Sequence, residues 1–143
     1  MQKNFILFFV ISFVQSEPVE KVYVNGIDGY HTFNSDHDQA GKKLTAFFYG
    51  RGNETNFSWC VDCENAMPYL DEALEKFGQN TIMLYIDAGD KKEWRKKEKN
   101  RLRWVFDLKF LPTLIRLNGF AEVKRLEDIN VKNPEMLESF FTD

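Results

Sequence analysis

Cysteine is almost missing from this 143-residue chain. There are two, Cys60 and Cys63, and only two histidines, His31 and His37. A pair of cysteines cannot build a disulfide scaffold. A structural zinc site would need two further ligands, and no second Cys-x-x-Cys exists to supply them; the histidines fall on a different predicted element and read as exposed helix residues, so no metal or bound cofactor is expected. Charge of one sign is not in excess either: a net −3 gives no general attraction to nucleic acid or to an anionic membrane. Internal repeats and low-complexity tracts are absent. One long apolar run exists, Phe5 to Val14, broken only by Ser12, and it is too short to cross a bilayer. With Met1-Gln2-Lys3-Asn4 ahead of it and Val14-Gln15-Ser16 behind, residues 1–16 read as a secretory signal peptide cleaved before Glu17. The domain is then 17–143, with no membrane attachment after cleavage, and the expected location is the secretory route or the exterior. Loss of Lys3 takes its charge to −4.

What the chain has in plenty is aromatic mass, with fourteen Phe, five Tyr and three Trp, enough to fill the core of one domain, expected to be a monomer. The chemistry gathers at Ser58-Trp59-Cys60-Val61-Asp62-Cys63. Upstream, Leu44 to Tyr49 is a short apolar and aromatic run, a buried strand. Downstream, Cys63, Met67, Leu70, Leu74 and Phe77 recur at helical spacing. The cysteines therefore sit where a loop becomes a helix, with Cys60 near the first turn. Unpaired N–H groups at a helix start favour a thiolate over a thiol. Cys63, three residues on, lies on the same side and can attack a mixed disulfide formed at Cys60. As a structural bridge the pair would close a tiny loop and remove little unfolded-state entropy. A dithiol/disulfide exchange site is the better reading.

Along the rest of the chain, Lys21–Val24 reads as a strand, Asn25-Gly26 as a turn, and Asp28 toward Gln39 as a helix carrying both histidines. The loop from Gly50 to Ser58 is long and polar and holds two glycosylation sequons, at Asn53 and Asn56. Pro68 should kink the helix after the cysteines. Thr81–Ile86 is a third strand. Lys91 to Arg103 holds eight of the nineteen basic residues and reads as a solvated helical face, with Trp94 and Trp104 anchoring it to the core. Pro112 precedes a strand to Leu117, Asn118-Gly119 signals a hairpin, and Glu122–Leu126 returns. Asn133 as N-cap, Pro134 at the first helical position and Glu135 in the first turn start a last helix, whose buried face is Met136, Leu137, Phe140 and Phe141. The order β-α-β-α-β-α-β-β-α describes an α/β sandwich with a mixed central sheet flanked by helices.

Trp59-Cys60-x-x-Cys63, Pro68 within the helix and Leu111-Pro112-Thr113 before a hairpin resemble the thioredoxins. Within that superfamily the likeness is greater to the small thioredoxin-related proteins of the thioredoxin domain-containing protein 17 family. These share a Trp-Cys-Pro-Asp-Cys site, an insertion before it and a Val-Pro-Thr-Leu-Leu segment. The resemblance spans about Val22 to the C-terminus. It implies a thioredoxin-like three-layer sandwich and a protein-disulfide reductase acting on protein or small-molecule disulfides. Electrons would come from NADPH through a thioredoxin reductase, and the family's setting is cytoplasmic. It also implies a cis proline at Pro112 facing the dithiol, with Leu111 and Pro112 offering backbone groups to a substrate strand, and Trp59 shaping the contact surface. The chain departs from the pattern in three places. Val61 stands where the family has proline, restoring an N–H near the thiolate. The leader has no family counterpart. Phe47 and Phe48 occupy the strand where thioredoxin carries a buried aspartate, which leaves Asp62 as a candidate for proton transfer to Cys63. In an oxidising compartment the same dithiol serves as an oxidant or isomerase, or as a binding module.

Overall fold

A computed structural model describes residues 17–143, so the leader reading falls outside the described residues. Two stretches of sequence dominate the centre. Leu44-Thr45-Ala46-Phe47-Phe48-Tyr49 in β2 (Lys43–Tyr49) and all seven residues of β3 (Thr81–Asp87) are buried on both faces. Continuous apolar runs of this kind belong to interior, parallel strands. β3 pairs in parallel with both β1 (Glu20–Asn25) and β2, while β2 pairs antiparallel with β4 (Thr113–Asn118), which continues to β5 (Ala121–Glu127). The sheet order is β1-β3-β2-β4-β5.

The two faces are covered by different helices. Phe48 meets Phe106, which also packs edge-on against Tyr30, so this face lies under α1 (Gly26–Asp36) and α4 (Arg101–Val105). Phe47 and Tyr85 point the other way, toward α2 (Val61–Phe77), which packs with α5 (Pro134–Thr142). The result is the expected three-layer α/β sandwich. α5 begins as read: the Asn133 side chain accepts from the Met136 amide at 3.1 Å and Pro134 opens the helix. Leu137, Phe140 and Phe141 are buried, whereas Met136 is exposed at the edge of that face.

Local rules fail in four places. Asn25-Gly26 is not a free turn; Gly26 takes φ +61° and turns the strand directly into α1. α1 ends at Asp36, so His37 lies outside it, donating its N–H to the Phe33 carbonyl and pairing through Nε2 with Glu20 Oε1 at 2.8 Å. The basic run is not one helix but three pieces: α3 (Lys91–Arg95), a 3₁₀ turn (Lys97–Lys99) and α4. Asn100 makes the second break, capping α4 with its Oδ1 and donating Nδ2 to the Ala88 carbonyl at 3.0 Å. Trp104 is exposed, its Nε1 bonded to the Lys97 carbonyl, and only Trp94 packs on the core. Pro68 lies inside α2, which continues to Phe77. Among the described residues no helix is long and apolar enough to cross a membrane.

Three tyrosines lie in the core, and burial pushes each of their phenols up: Tyr30 to about 12, Tyr49 to about 12 with Asp87 adding to the effect, and Tyr85 further still. Unfolded, each would ionise near 10. The folded state thus holds more protons than the unfolded chain above pH 10, and stability falls as pH rises through this window. Urea midpoints are expected to decline steadily from about pH 9.5 upward, with tyrosinate absorbance developing alongside unfolding. A midpoint that stays flat to pH 11 would contradict this.

Candidate redox site

The loop after β2 and the start of α2 set the geometry. Cys60 is the N-cap of α2, and its Sγ accepts the Cys63 amide at 3.2 Å, the place a serine or aspartate oxygen takes in an ordinary helix cap. The two cysteines are joined as a disulfide, with their Cα atoms 5.2 Å apart. They differ in access: Cys60 is 7% exposed and Cys63 is 0%. The less deeply buried of the two is the one at the helix N-terminus. A thiolate there gains the Cys63 N–H and the positive end of α2.

Around this pair the backbone is tied down by side chains that periodicity does not reveal. Ser58, 4% exposed, accepts the Cys60 amide on Oγ at 3.0 Å, and its own amide donates to Glu64 Oε1 at 3.2 Å. Trp59 is half-buried and donates Nε1 to the Gly89 carbonyl at 2.9 Å. Its ring lies so close to Gly50 that a β-carbon there would stand 2.3 Å from Cε2, so only glycine admits the indole. The Gly89 carbonyl also accepts the Arg51 amide at 2.8 Å. Gly89 is held in turn by Asp87, whose Oδ1 accepts the Gly89 amide at 2.7 Å while Oδ2 accepts Arg51 Nε at 2.8 Å. Asp87 is 3% exposed. Thus one buried carboxylate fastens the loop before the cysteines to the loop after β3. Nothing local in the sequence marks it, because its partner is 36 residues away.

The other expected site residues lie as follows. Leu111 is buried and its carbonyl oxygen stands 3.6 Å from Cys60 Sγ. The Leu111–Pro112 bond is cis, and the Pro112 carbonyl is taken by the Asp128 amide at 2.8 Å, leaving Leu111 as the member of the pair that borders the sulfur. Val61 is the first residue of α2 and 68% exposed; the amide bonded to Cys60 Sγ is that of Cys63. The Asp62 carboxylate is exposed, with Lys132 Nζ at 3.9 Å. Phe47 and Phe48 are fully buried among apolar neighbours. Asn53 and Asn56 are exposed, in a loop closed on itself by Asn53 Oδ1 accepting the Thr55 and Asn56 amides. His31 is exposed on α1. The arrangement can cycle between disulfide and dithiol.

The comparisons with known proteins agree with this geometry. The family described as thioredoxin domain-containing protein 17-like, thioredoxin domain, matches residues 24–143. Human thioredoxin domain-containing protein 17 is 29% identical over 118 residues, covering 82% of this chain and 94% of its own length. The thioredoxin-like protein Clot of Arabidopsis thaliana is 34% identical over 84 residues, 58% of this chain and 63% of that one. Among solved structures, a thioredoxin from Nicotiana alata superposes with a TM-score of 0.59 at 18% identity, covering 90% of this chain and 95% of its own. A poplar thioredoxin h gives 0.58 at 21%, covering 85% and 93%. These structures share the fold.

Proposed function

The chain belongs to the thioredoxin domain-containing protein 17-like family of thioredoxin domains, and from that premise we propose that it is a thiol-disulfide oxidoreductase acting as a protein-disulfide reductase. The observation that carries this reading is the inequality of the two cysteines: Cys60 at a helix N-cap, 7% exposed and with an amide on its Sγ, and Cys63 behind it with no exposure. In the reduced protein the Cys60 thiolate attacks a substrate disulfide. A Cys60–substrate S–S bond forms, the substrate bond breaks, and the departing thiolate takes a proton. Cys63, losing its proton, then attacks Cys60 Sγ, frees the second substrate thiol and leaves the Cys60–Cys63 disulfide, two electrons having passed to the substrate. Leu111 borders the entering sulfur and Trp59 walls the site. Thioredoxin reductase with NADPH is the proposed source of electrons, and protein or small-molecule disulfides the substrates. The test is NADPH consumption by purified chain, thioredoxin reductase and a disulfide such as cystine or insulin. Turnover that needs all three is expected, and no consumption above the reductase alone would overturn the reading.

A second reading follows from the exposed sequons before the dithiol. If the leader directs the chain into the secretory route rather than leaving it cytoplasmic, a glycan on Asn56 would crowd the approach to Cys60 and favour small or extended substrates. The site would then work as an oxidant, isomerase or binding module. Full-length chain expressed in animal cells is expected to start at or near Glu17 and to shift on gels after enzymatic removal of asparagine-linked glycans. A cytosolic protein retaining Met1, or its initiator-processed form, would refute this.

A further inference from the structure

The chemistry above makes no use of the basic run. Of its eight cations, Arg103 is spent internally: Nε donates to the Leu108 carbonyl, Nη1 to the Trp94 carbonyl, and its guanidinium lies 3.9 Å over the Trp94 ring. Arg101 stands 3.6 Å from Asp28. The other six, Lys91, Lys92, Arg95, Lys96, Lys97 and Lys99, are exposed, and among the described residues none is in salt-bridge contact with a carboxylate. For a chain of net negative charge this is a concentrated positive field.

The patch also has a shape. Lys96 and Lys99 line a cavity of about 350 Å³ at the ends of β1 and β3, together with Arg51, Arg101 and Gly89. Of the acids on its wall, Asp87 and Glu93 share Arg51 and Asp28 lies beside Arg101, so three carboxylates face four cations and the wall is net positive. Among the described residues, Lys96 and Lys99 are in salt-bridge contact with none of these acids. The cavity reaches the redox site through Gly89, whose carbonyl holds the Trp59 indole. The first turn of α2, on the sulfur side, carries the acids Glu64 and Asp62, the latter 3.9 Å from Lys132. Charge therefore changes sign across Trp59.

Given the disulfide-reductase reading, on which this rests, we propose that the cavity and the Lys91–Lys99 face dock an acidic segment of the polypeptide that brings its disulfide to Cys60. A molecule acidic on one side of its disulfide would be oriented by this field, and its encounter rate raised, while a basic one would be turned away. The occupant is a polypeptide because the site beside the cavity acts on disulfides, and because acids flank the cations on α2, which a long polyanion would have to cross.

The test uses the full chain and two peptides, each closed by one disulfide, with a run of glutamates beside it in one and glutamines in the other. Single-turnover reduction by the pre-reduced chain at low salt is expected to be about tenfold faster for the glutamate peptide. The advantage should vanish in the double variant Lys96→Gln, Lys99→Gln and at high salt, with the glutamine peptide's rate unchanged. Equal rates for the two peptides on the unmodified chain would overturn the docking proposal and leave the reductase reading intact. If neither peptide reacts, the reductase reading fails, and docking is decided by fluorescence anisotropy of a cysteine-free glutamate peptide on the oxidised chain. Binding lost in the double variant supports docking; no binding, or binding indifferent to the two lysines, defeats it. A single-stranded oligonucleotide of equal charge that binds more tightly than the peptide would also defeat it.

Discussion

Reduced Cys63→Ser protein is expected to hold disulfide substrates as stable mixed disulfides on Cys60, while Cys60→Ser captures none, and both lose steady-state turnover to background. The asymmetry follows from placement. Cys60 retains 7% exposure and sits at the N-terminus of α2, with the Cys63 amide already on its Sγ. A thiolate formed there keeps that N–H and faces the positive end of the helix. Cys63 is fully buried, so it meets only the sulfur of Cys60. A serine hydroxyl at position 63 cannot displace the substrate from Cys60, and the intermediate accumulates. The amide that caps Cys60 Sγ belongs to the backbone of residue 63 and survives the substitution, so the trap should form at nearly the unmodified rate. Two measurements decide the matter: mass spectrometry of the trapped adduct, and alkylation of the reduced chain at mildly acidic pH. Faster labelling of Cys63 than of Cys60 would reverse the assignment of nucleophile and resolving thiol.

How much of this could be read from the residues follows from the range over which each interaction acts. The parallel centre of the sheet was legible because β2 and β3 are apolar on both faces and short. The last helix was legible because Asn133 and Pro134 act within one turn. The dithiol was equally local, with cap, nucleophile and resolving thiol within four residues. What escaped is set by partners distant in sequence. Gly26 begins α1 because the chain must leave β1 at once, which a reading of Asn-Gly as a turn misses. The basic run breaks at Asn100 because its side chain is drawn to Ala88 twelve residues back, and Trp104 stays outside because its indole finds the Lys97 carbonyl. Ser58 and Gly50 became site residues only once Glu64 and the Trp59 ring were placed against them. Asp87 is the plainest case: an acid ending a strand looks like a turn residue, yet it is buried and tied to an arginine on the far loop.

That tie gives the second large expected effect, on stability. Arg51→Ala should cost about 2 kcal/mol, because it leaves the Asp87 carboxylate buried with the Gly89 amide as its remaining partner. Asp87→Ala should cost about 3 kcal/mol, roughly 10 °C in Tm, since it loses the same pair and also orphans the Gly89 N–H. The double variant should cost about 3 kcal/mol rather than the sum. With the carboxylate gone, the half-exposed Arg51 guanidinium can turn to water, and its removal matters little. Function is expected to follow structure here. The Gly89 carbonyl receives both the Arg51 amide and the Trp59 indole, so releasing Gly89 frees the wall of the redox site. Asp87→Ala should therefore slow the reaction of Cys60 with disulfides as well as lower the Tm, whereas Asp87→Asn, able to accept the Gly89 N–H, should recover part of both. Denaturant titration of the four proteins in the cycle decides the energetic claim. Strictly additive losses would mean that the Arg51–Asp87 pair does not hold the two loops together, and that each side chain acts through other contacts.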